Sequence, residues 1–254
     1  MPPDMDQAAA DARRAREALE VLLTDAPQIA SELPPGYLDT IERYVALLLE
    51  ANRRINLTRL TEARDVARLH LLDALAALPL IDELGGPAID LGSGGGVPAI
   101  PLALARPTTR WTLVDSVGKK AAVLRDIAEK MGLSRVTVVG ARAESLGHDP
   151  AHRERYGLAT ARACAPLPVL AELALPLVSV GGSLLAWKGP LSAEDEEWRH
   201  GLSAAAQLGG ADARIVDPGV PALGGHRFVV VAKRRATRQR FPRRAGEPAR
   251  RPLA

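Results

Sequence analysis

The chain reads as an α/β protein, with a mostly parallel, seven-stranded, Rossmann-like sheet preceded by an N-terminal helical cap. Three features of the sequence lead there. After Gly85, short apolar runs alternate with amphipathic stretches. The first run leads into the glycine-rich turn Gly92-Ser93-Gly94-Gly95-Gly96. An acid stands at or just beyond the end of each of the first three runs: Asp90, Asp115 and Glu144. Short strands separated by helices imply right-handed crossovers and therefore parallel neighbours.

In chain order, residues 1–35 form a charged, Ala-rich extension with helical potential, whose packing the pattern leaves open. Residues 36–84 form the cap. Leu38, Ile41, Tyr44, Val45 and Leu48 recur at three- and four-residue steps, as on one buried helix face, until the polar stretch Asn52 to Thr58 interrupts them. A second helix is expected from about Thr61 to Pro79. The main domain, 85–232, begins with the strand Ala88-Ile89-Asp90-Leu91. Pro98 opens the helix after the glycine turn, since proline suits a first helical turn. Strands follow at Trp111–Asp115, Val136–Val139, Leu158–Ala163, Ser183–Trp187, Ala213–Val216 and Arg227–Ala232, with helices at Lys119–Met131, Leu167–Val178 and Ser192–Leu208.

The formal charge of +3 is unevenly spread. Residues 233–254 hold nine Lys and Arg against Glu247 alone, a local balance of +8 that leaves −5 for the rest. So Pro- and Arg-rich a tail is expected to be disordered, and either grips a polyanion or is simply solvated. Eight aromatics in 254 residues leave little for a base-stacking platform of the single-strand-binding kind. One cysteine excludes a disulfide framework or a cysteine-rich metal site. No apolar run approaches a membrane span and the first twenty residues lack a signal-peptide pattern, so a cytoplasmic protein without metal or membrane partner is expected.

A glycine turn between a strand and a helix lets a ligand approach the backbone at the carboxyl edge of the sheet. Dinucleotide enzymes share that geometry, but their fingerprint needs a small residue at position 97, where this chain has Val97. Here Gly92, Gly94 and Gly96 alternate behind Asp90. That arrangement resembles the first motif of class I S-adenosylmethionine-dependent methyltransferases, whose cofactor is a sulfonium cation rather than a pyrophosphate; an acid beside the loop suits such a charge. Asp115, at the end of the second strand, has the place of a carboxylate that accepts both ribose hydroxyl protons. Glu144 stands where that pattern puts the adenine.

The acceptor is less legible. The segment after strand four, Thr160 to Leu167, lacks the Asp/Asn-Pro-Pro-aromatic loop used for exocyclic amines. Cys164 has the place of a thiolate nucleophile for pyrimidine C5 chemistry, but without the preceding proline a buried structural thiol is the default. Eight motifs then occur in order: Asn56-Leu57-Thr58, Arg68-x-His70-Leu71-Leu72-Asp73, Asp90 to Pro101, Leu113 to Lys120, Arg142-Ala143-Glu144, Ala161-Arg162-Ala163, Lys188-Gly189, and Val220-Pro221-Ala222-Leu223-x-Gly225-x-Arg227. Together they resemble the RsmG (GidB) family, bacterial guanine-N7 methyltransferases of small-subunit ribosomal RNA, over about residues 37 to 233.

The resemblance implies S-adenosylmethionine as cofactor and small-subunit ribosomal RNA, or the small ribosomal subunit, as partner of a monomeric enzyme. It carries cofactor contacts onto Gly92, Val97, Asp115, Ala143, Glu144 and Arg162; Asp90, Gly94 and Gly96 join them from the loop pattern. Arg162 is expected to position cofactor or base. Lys119, Lys120, Lys188, Asn56 and His70 are the expected RNA contacts, although Asn56 could merely cap a turn and His70 could be a satisfied core residue. Gly157 departs from the family's usual Asp and is expected to loosen the turn into strand four. Guanine N7 carries a free lone pair, so no general base is needed, and alignment with exclusion of water does the work. A small-molecule methyltransferase of the same fold and a non-catalytic RNA-binding module are the alternatives.

Overall fold

The computed structural model describes residues 3–253. Seven strands form one sheet in the order β3-β2-β1-β4-β5-β7-β6: β1 Ala88–Leu91, β2 Trp111–Val114, β3 Val136–Val139, β4 Tyr156–Arg162, β5 Val178–Lys188, β6 Gly210–Val216 and β7 Arg227–Lys233. The first five are parallel; β7 is antiparallel to both β5 and β6. Leu91 lies level with Val114 on one side and Ala161 on the other, so the carboxyl ends of β1, β2 and β4 come out together. The order reverses between β1 and β4, where open α/β sheets bind their ligands.

Side chains alternate across the sheet. Trp111, Leu113, Leu158, Leu185 and Phe228 face one core, shared with the cap. Ile89, Leu91, Val114, Ala159, Ala161 and Leu184 face the other. The cap comprises α1 Pro3–Thr24, α2 Pro27–Ala30, α3 Tyr37–Asn52, α4 Ala63–Asp65 running through a π-helical stretch Val66–Leu72 into α5 Asp73–Leu75, and α6 Leu78–Leu84. The charged extension therefore belongs to the cap. Its α1 buries Ala8, Ala12, Ala15, Leu19 and Leu23, one side of a helix, and turns its charges to water. The remaining helices are α7 Ala99–Ala105, α8 Gly118–Lys130, α9 Ala143–Leu146, α10 Leu167–Ala174, α11 Glu196–Gln207 and α12 Glu247–Arg250.

Gly157 stands at the register irregularity between Tyr156 and Leu158 where β4 meets β5, and a Cβ there would lie 3.0 Å from both Gly85 O and Gly86 Cα, so its lack of a side chain lets two backbone segments meet. One expectation is corrected: the basic tail is not disordered. Lys233 is fully buried and donates to Thr237 Oγ1 at 2.6 Å and to the carbonyls of Leu175 and Val178, with Glu154 3.2 Å away. Burial pulls its ammonium down to about 8 despite that carboxylate. Phe241 is buried in the second core, and Pro242 sits on Gly147 so closely that a Cβ there would meet it at 2.6 Å. The crossover after β3 is a single helical turn, α9, and the tail packs against it. Buried acids hold the rest: Glu172, wholly inaccessible, accepts from the Arg243 guanidinium and from its backbone N–H, while Glu144 accepts from Gly246 N–H at 2.8 Å.

Candidate active site

The glycine turn is shaped from two sides. Gly92 has φ +71°, and a Cβ there would lie 2.9 Å from Cys164 Sγ, so glycine answers both to the backbone and to the neighbour. From the cap, Tyr44 Oη donates to Gly95 O at 2.9 Å and Leu48 presses close enough that a Cβ on Gly95 would meet it at 2.5 Å. Burial raises the Tyr44 phenol well above its usual range and keeps it a donor. Helix α3 thus buttresses the loop.

Asp90 is 1% exposed; its Oδ1 accepts from Thr160 Oγ1 at 2.7 Å and its buried Oδ2 has no partner among the described residues. Desolvation pushes this carboxyl up to about 6, with the hydroxyls of Ser93 and Thr160 and the charge of Arg162 pulling the other way. Asp115 accepts from Gly94 N–H at 3.0 Å through Oδ2 and from Val117 N–H at 2.8 Å through Oδ1, which fixes its carboxylate at the end of β2 with lone pairs to spare. The charges of Asp90, Asp115 and Glu144 all act on the thiol of exposed Cys164, which desolvation and these three acids push up to about 11. Cys164 is exposed rather than the buried structural thiol expected by default, and it stays a thiol at neutral pH.

Beside the loop opens a cavity of about 730 Å³, between the carboxyl edge and the cap. Of the expected site residues, Asn56, His70, Gly92, Gly94, Val97, Asp115, Lys120, Arg162 and Lys188 line it; Asp90, Gly96, Lys119, Ala143 and Glu144 do not. Arg162 ties sheet to cap. Its guanidinium donates to Leu69 O and to His70 Nδ1 at 3.0 Å, with Asp73 Oδ2 3.4 Å away. A guanidinium can only donate, so His70 Nδ1 is the acceptor and its proton sits on Nε2, directed at Thr58 Oγ1 at 2.7 Å. Burial first, and Arg162 second, bring the imidazole down to about 4. His70 is neutral with both nitrogens engaged, the arrangement of a satisfied core residue, although it lines the cavity. Among the described residues no group of three or more His, Cys, Asp or Glu could hold a metal, and no helix is long and apolar enough to cross a membrane.

A family model described as "GidB: rRNA small subunit methyltransferase G" matches residues 37–216. The chain belongs to the GidB family. It is 44% identical to a Ribosomal RNA small subunit methyltransferase G of Deinococcus deserti, over 93% of this chain and 97% of that one. Proteins of the same name from Pelotomaculum thermopropionicum (44%, covering 84% and 89%) and Rubrobacter xylanophilus (45%, covering 85% and 84%) are similar to it as well. Among solved structures, the S-adenosylmethionine-dependent methyltransferase SibL superposes with a TM-score of 0.55 at 19% identity, covering 87% of this chain and 76% of that one. An O-methyltransferase from Bacillus cereus gives 0.52 at 20%, covering 73% and 89%. The fold is the Rossmann-like class I S-adenosylmethionine-dependent methyltransferase fold.

Several residues of this GidB site escaped the sequence reading. Asp73 is 2% exposed; beside its approach to Arg162, its Oδ1 lies 3.0 Å from His226 Nδ1 and its carbonyl accepts from Trp187 Nε1 at 3.0 Å. The signal for Asp73 was its position three residues after His70, which puts both on one helical face. Nothing local marked His226 or Trp187, which reach the cavity from just before β7 and from β5. Asn52, not Asn56, caps the turn after α3, its Oδ1 accepting from Leu57 N–H at 2.7 Å and Thr58 N–H at 2.9 Å. Asn56 is left exposed on the cavity wall. Lys188, expected to meet RNA, is paired with Glu197 and donates to Ala165 O at 3.3 Å.

Proposed function

We propose that this GidB chain transfers a methyl group from S-adenosylmethionine to N7 of a guanine in small-subunit ribosomal RNA, as a monomeric cytoplasmic enzyme without metal. The observation that carries the reading is the cavity itself, which is lined together by the glycine cradle, Asp115, Lys120 and cap residues.

The residues present suit the cofactor. Gly92 and Gly94 leave backbone bare along the loop, and Asp90 holds an unpartnered buried oxygen beneath it. In this reading Asp115 accepts the ribose hydroxyls, Val97 and Gly92 line the cofactor side, Gly96 gives the turn its shape, and Ala143 with Glu144 bounds the adenine end. The cofactor, when bound, supplies an electrophilic methyl group on a cationic sulfur. Asp90 and Asp115 then place negative charge beside that cation in a poorly solvated site, where such charges act strongly. Guanine N7 needs no proton removed, which accords with a His70 that is neutral and fully engaged. Arg162, held by three groups of one cap segment, keeps the cap at a set distance from the loop, and Asn56 and Lys120 meet the incoming RNA; Lys119 lies just outside the cavity on the same helix turn. The gain comes from alignment, worth roughly 7–11 kcal/mol in well-oriented systems.

The test uses small ribosomal subunits from a strain lacking the enzyme. The purified protein with labelled cofactor should label them, and chemical cleavage at N7-methylguanine should then cut the RNA at the modified base. No incorporation, or label on another atom, rejects the reading.

A further inference from the structure

We propose that the docked C-terminal segment carries a phosphate-binding rim, Arg244, Arg250 and Arg251 together with Arg142, which holds the RNA backbone beside the cavity. The proposal rests on the reading of the chain as an RNA methyltransferase. It adds a surface that the family match, ending at residue 216, does not reach.

The route of the tail is the first argument. Strand β7 runs against its neighbours, with Ala232 level with Ser183 and Lys233 level with Gly210, so the chain leaves the sheet at the edge opposite the cavity. It then returns. Arg153 donates to the carbonyls of Thr237 at 2.7 Å and Phe241 at 2.8 Å, Phe241 enters the core, Arg243 meets Glu172, and Gly246 N–H reaches Glu144 just beyond β3. A tail needed only for solubility gains nothing from these buried anchors. They carry its last residues to the carboxyl edge.

Charge is the second argument. Some of the tail's arginines are committed: Arg243 to Glu172, Arg234 to Asp212 at 2.6 Å, and Arg240 stacked 4.9 Å over the Phe241 ring. Arg244, Arg250 and Arg251 are exposed and have no acidic partner among the described residues. The Glu144–Gly246 bond brings Arg244 near Arg142, itself exposed and two residues before Glu144. On the other side, a Cβ on Gly140 would touch Ala121 at 3.3 Å, so the turn bearing Arg142 adjoins the start of α8, with Lys119 and Lys120. A band of cations thus runs outward from Lys120 on the cavity wall. Exposed guanidinium groups with no acid to pair with, fixed by a folded backbone, suit the regularly spaced anions of a nucleic-acid backbone.

Cutting the chain after Lys233 would strip Phe241 from the core, so the test is charge removal. The variant Arg244→Gln/Arg250→Gln/Arg251→Gln is compared with wild type for binding of small-subunit RNA across a salt series, for KM toward small subunits, and for S-adenosylmethionine affinity by calorimetry. RNA affinity should fall about tenfold or more, and its dependence on log salt should become shallower by about 2, each lost contact removing about 0.7. Cofactor affinity should stay as in wild type. Arg234→Gln/Arg235→Gln, at the opposite edge, should change RNA affinity by about twofold at most. A triple variant with wild-type affinity and salt slope overturns the rim, and so does an opposite-edge pair as damaging as the triple. Binding is read apart from methylation: a wild-type protein that binds RNA but labels none of it defeats the proposed function, whereas labelling that the triple variant leaves unimpaired defeats only the rim.

Discussion

Replacing Arg243 by alanine should destabilise the protein far more than an exposed tail arginine would. Glu172 is completely inaccessible on α10, and its carboxylate takes the Arg243 backbone N–H at 2.8 Å, Nε at 2.8 and 3.1 Å, and the Nη2 amine. Arg243→Ala leaves only the backbone donor, with an acid still buried. Removing one member of a buried pair costs about 3–5 kcal/mol. The Arg243 side chain keeps 20% of its exposure, so water can partly fill the gap and the lower end applies, about 3 kcal/mol. In a chain of this size each kcal/mol moves the melting temperature by about 2–4 °C, so a fall of roughly 6–12 °C is expected. Thermal and urea melts of wild type, Arg243→Ala, Glu172→Gln and the double variant measure it. The double variant should be less destabilised than the sum of the singles, because the uncompensated charge is gone. An Arg243→Ala melt within about 1 °C of wild type would refute the reasoning, since the pair would then hold nothing together.

Four further outcomes are expected. Because Asp90 titrates at about 6 in the folded chain against 3.8 for a free carboxyl, its ionised form burdens the apoprotein. That cost is absent below pH 3.8 and complete above about 6, so Asp90→Asn should raise apoprotein stability at pH 8 and lose this advantage by pH 3.5, read from melts at both pH values. In wild type the affinity for the cationic cofactor should weaken as pH falls through about 6, and in Asp90→Asn that step should vanish from the calorimetric titration. Arg162→Lys should lower kcat about 30- to 100-fold, worth about 2–3 kcal/mol, while changing cofactor affinity little, because one ammonium cannot serve Leu69 O, His70 and Asp73 together. Cys164→Ser should keep turnover within about threefold, as its thiol, at about 11, supplies no thiolate at neutral pH; abolished turnover would reinstate a covalent route.

The sequence alone determined those parts of the protein whose causes are local. Strand and helix periods, the left-handed glycine at the end of β1 and the acids after successive strands all lie within a few residues of the structure they produce, so the sheet, the loop and Asp115 were legible. Of the helical cap, the buried face of α3 was legible, whereas the docking of α1 was not. Contacts between distant segments were not. Arg162 meets His70 and Asp73 across 92 and 89 residues of chain, and Asp73 meets His226 across 153. Nothing near any of them announces that His70 will be locked as a neutral acceptor, or that Lys188 will be spent on Glu197. The tail shows the limit best. Arginine and proline in bulk read the same whether or not buried acids await them, and only folding places Glu172 and Glu144 where those charges and amides can be met. Composition reports what a segment does when left in water, whereas its docking depends on the desolvated partners that the rest of the chain has already assembled.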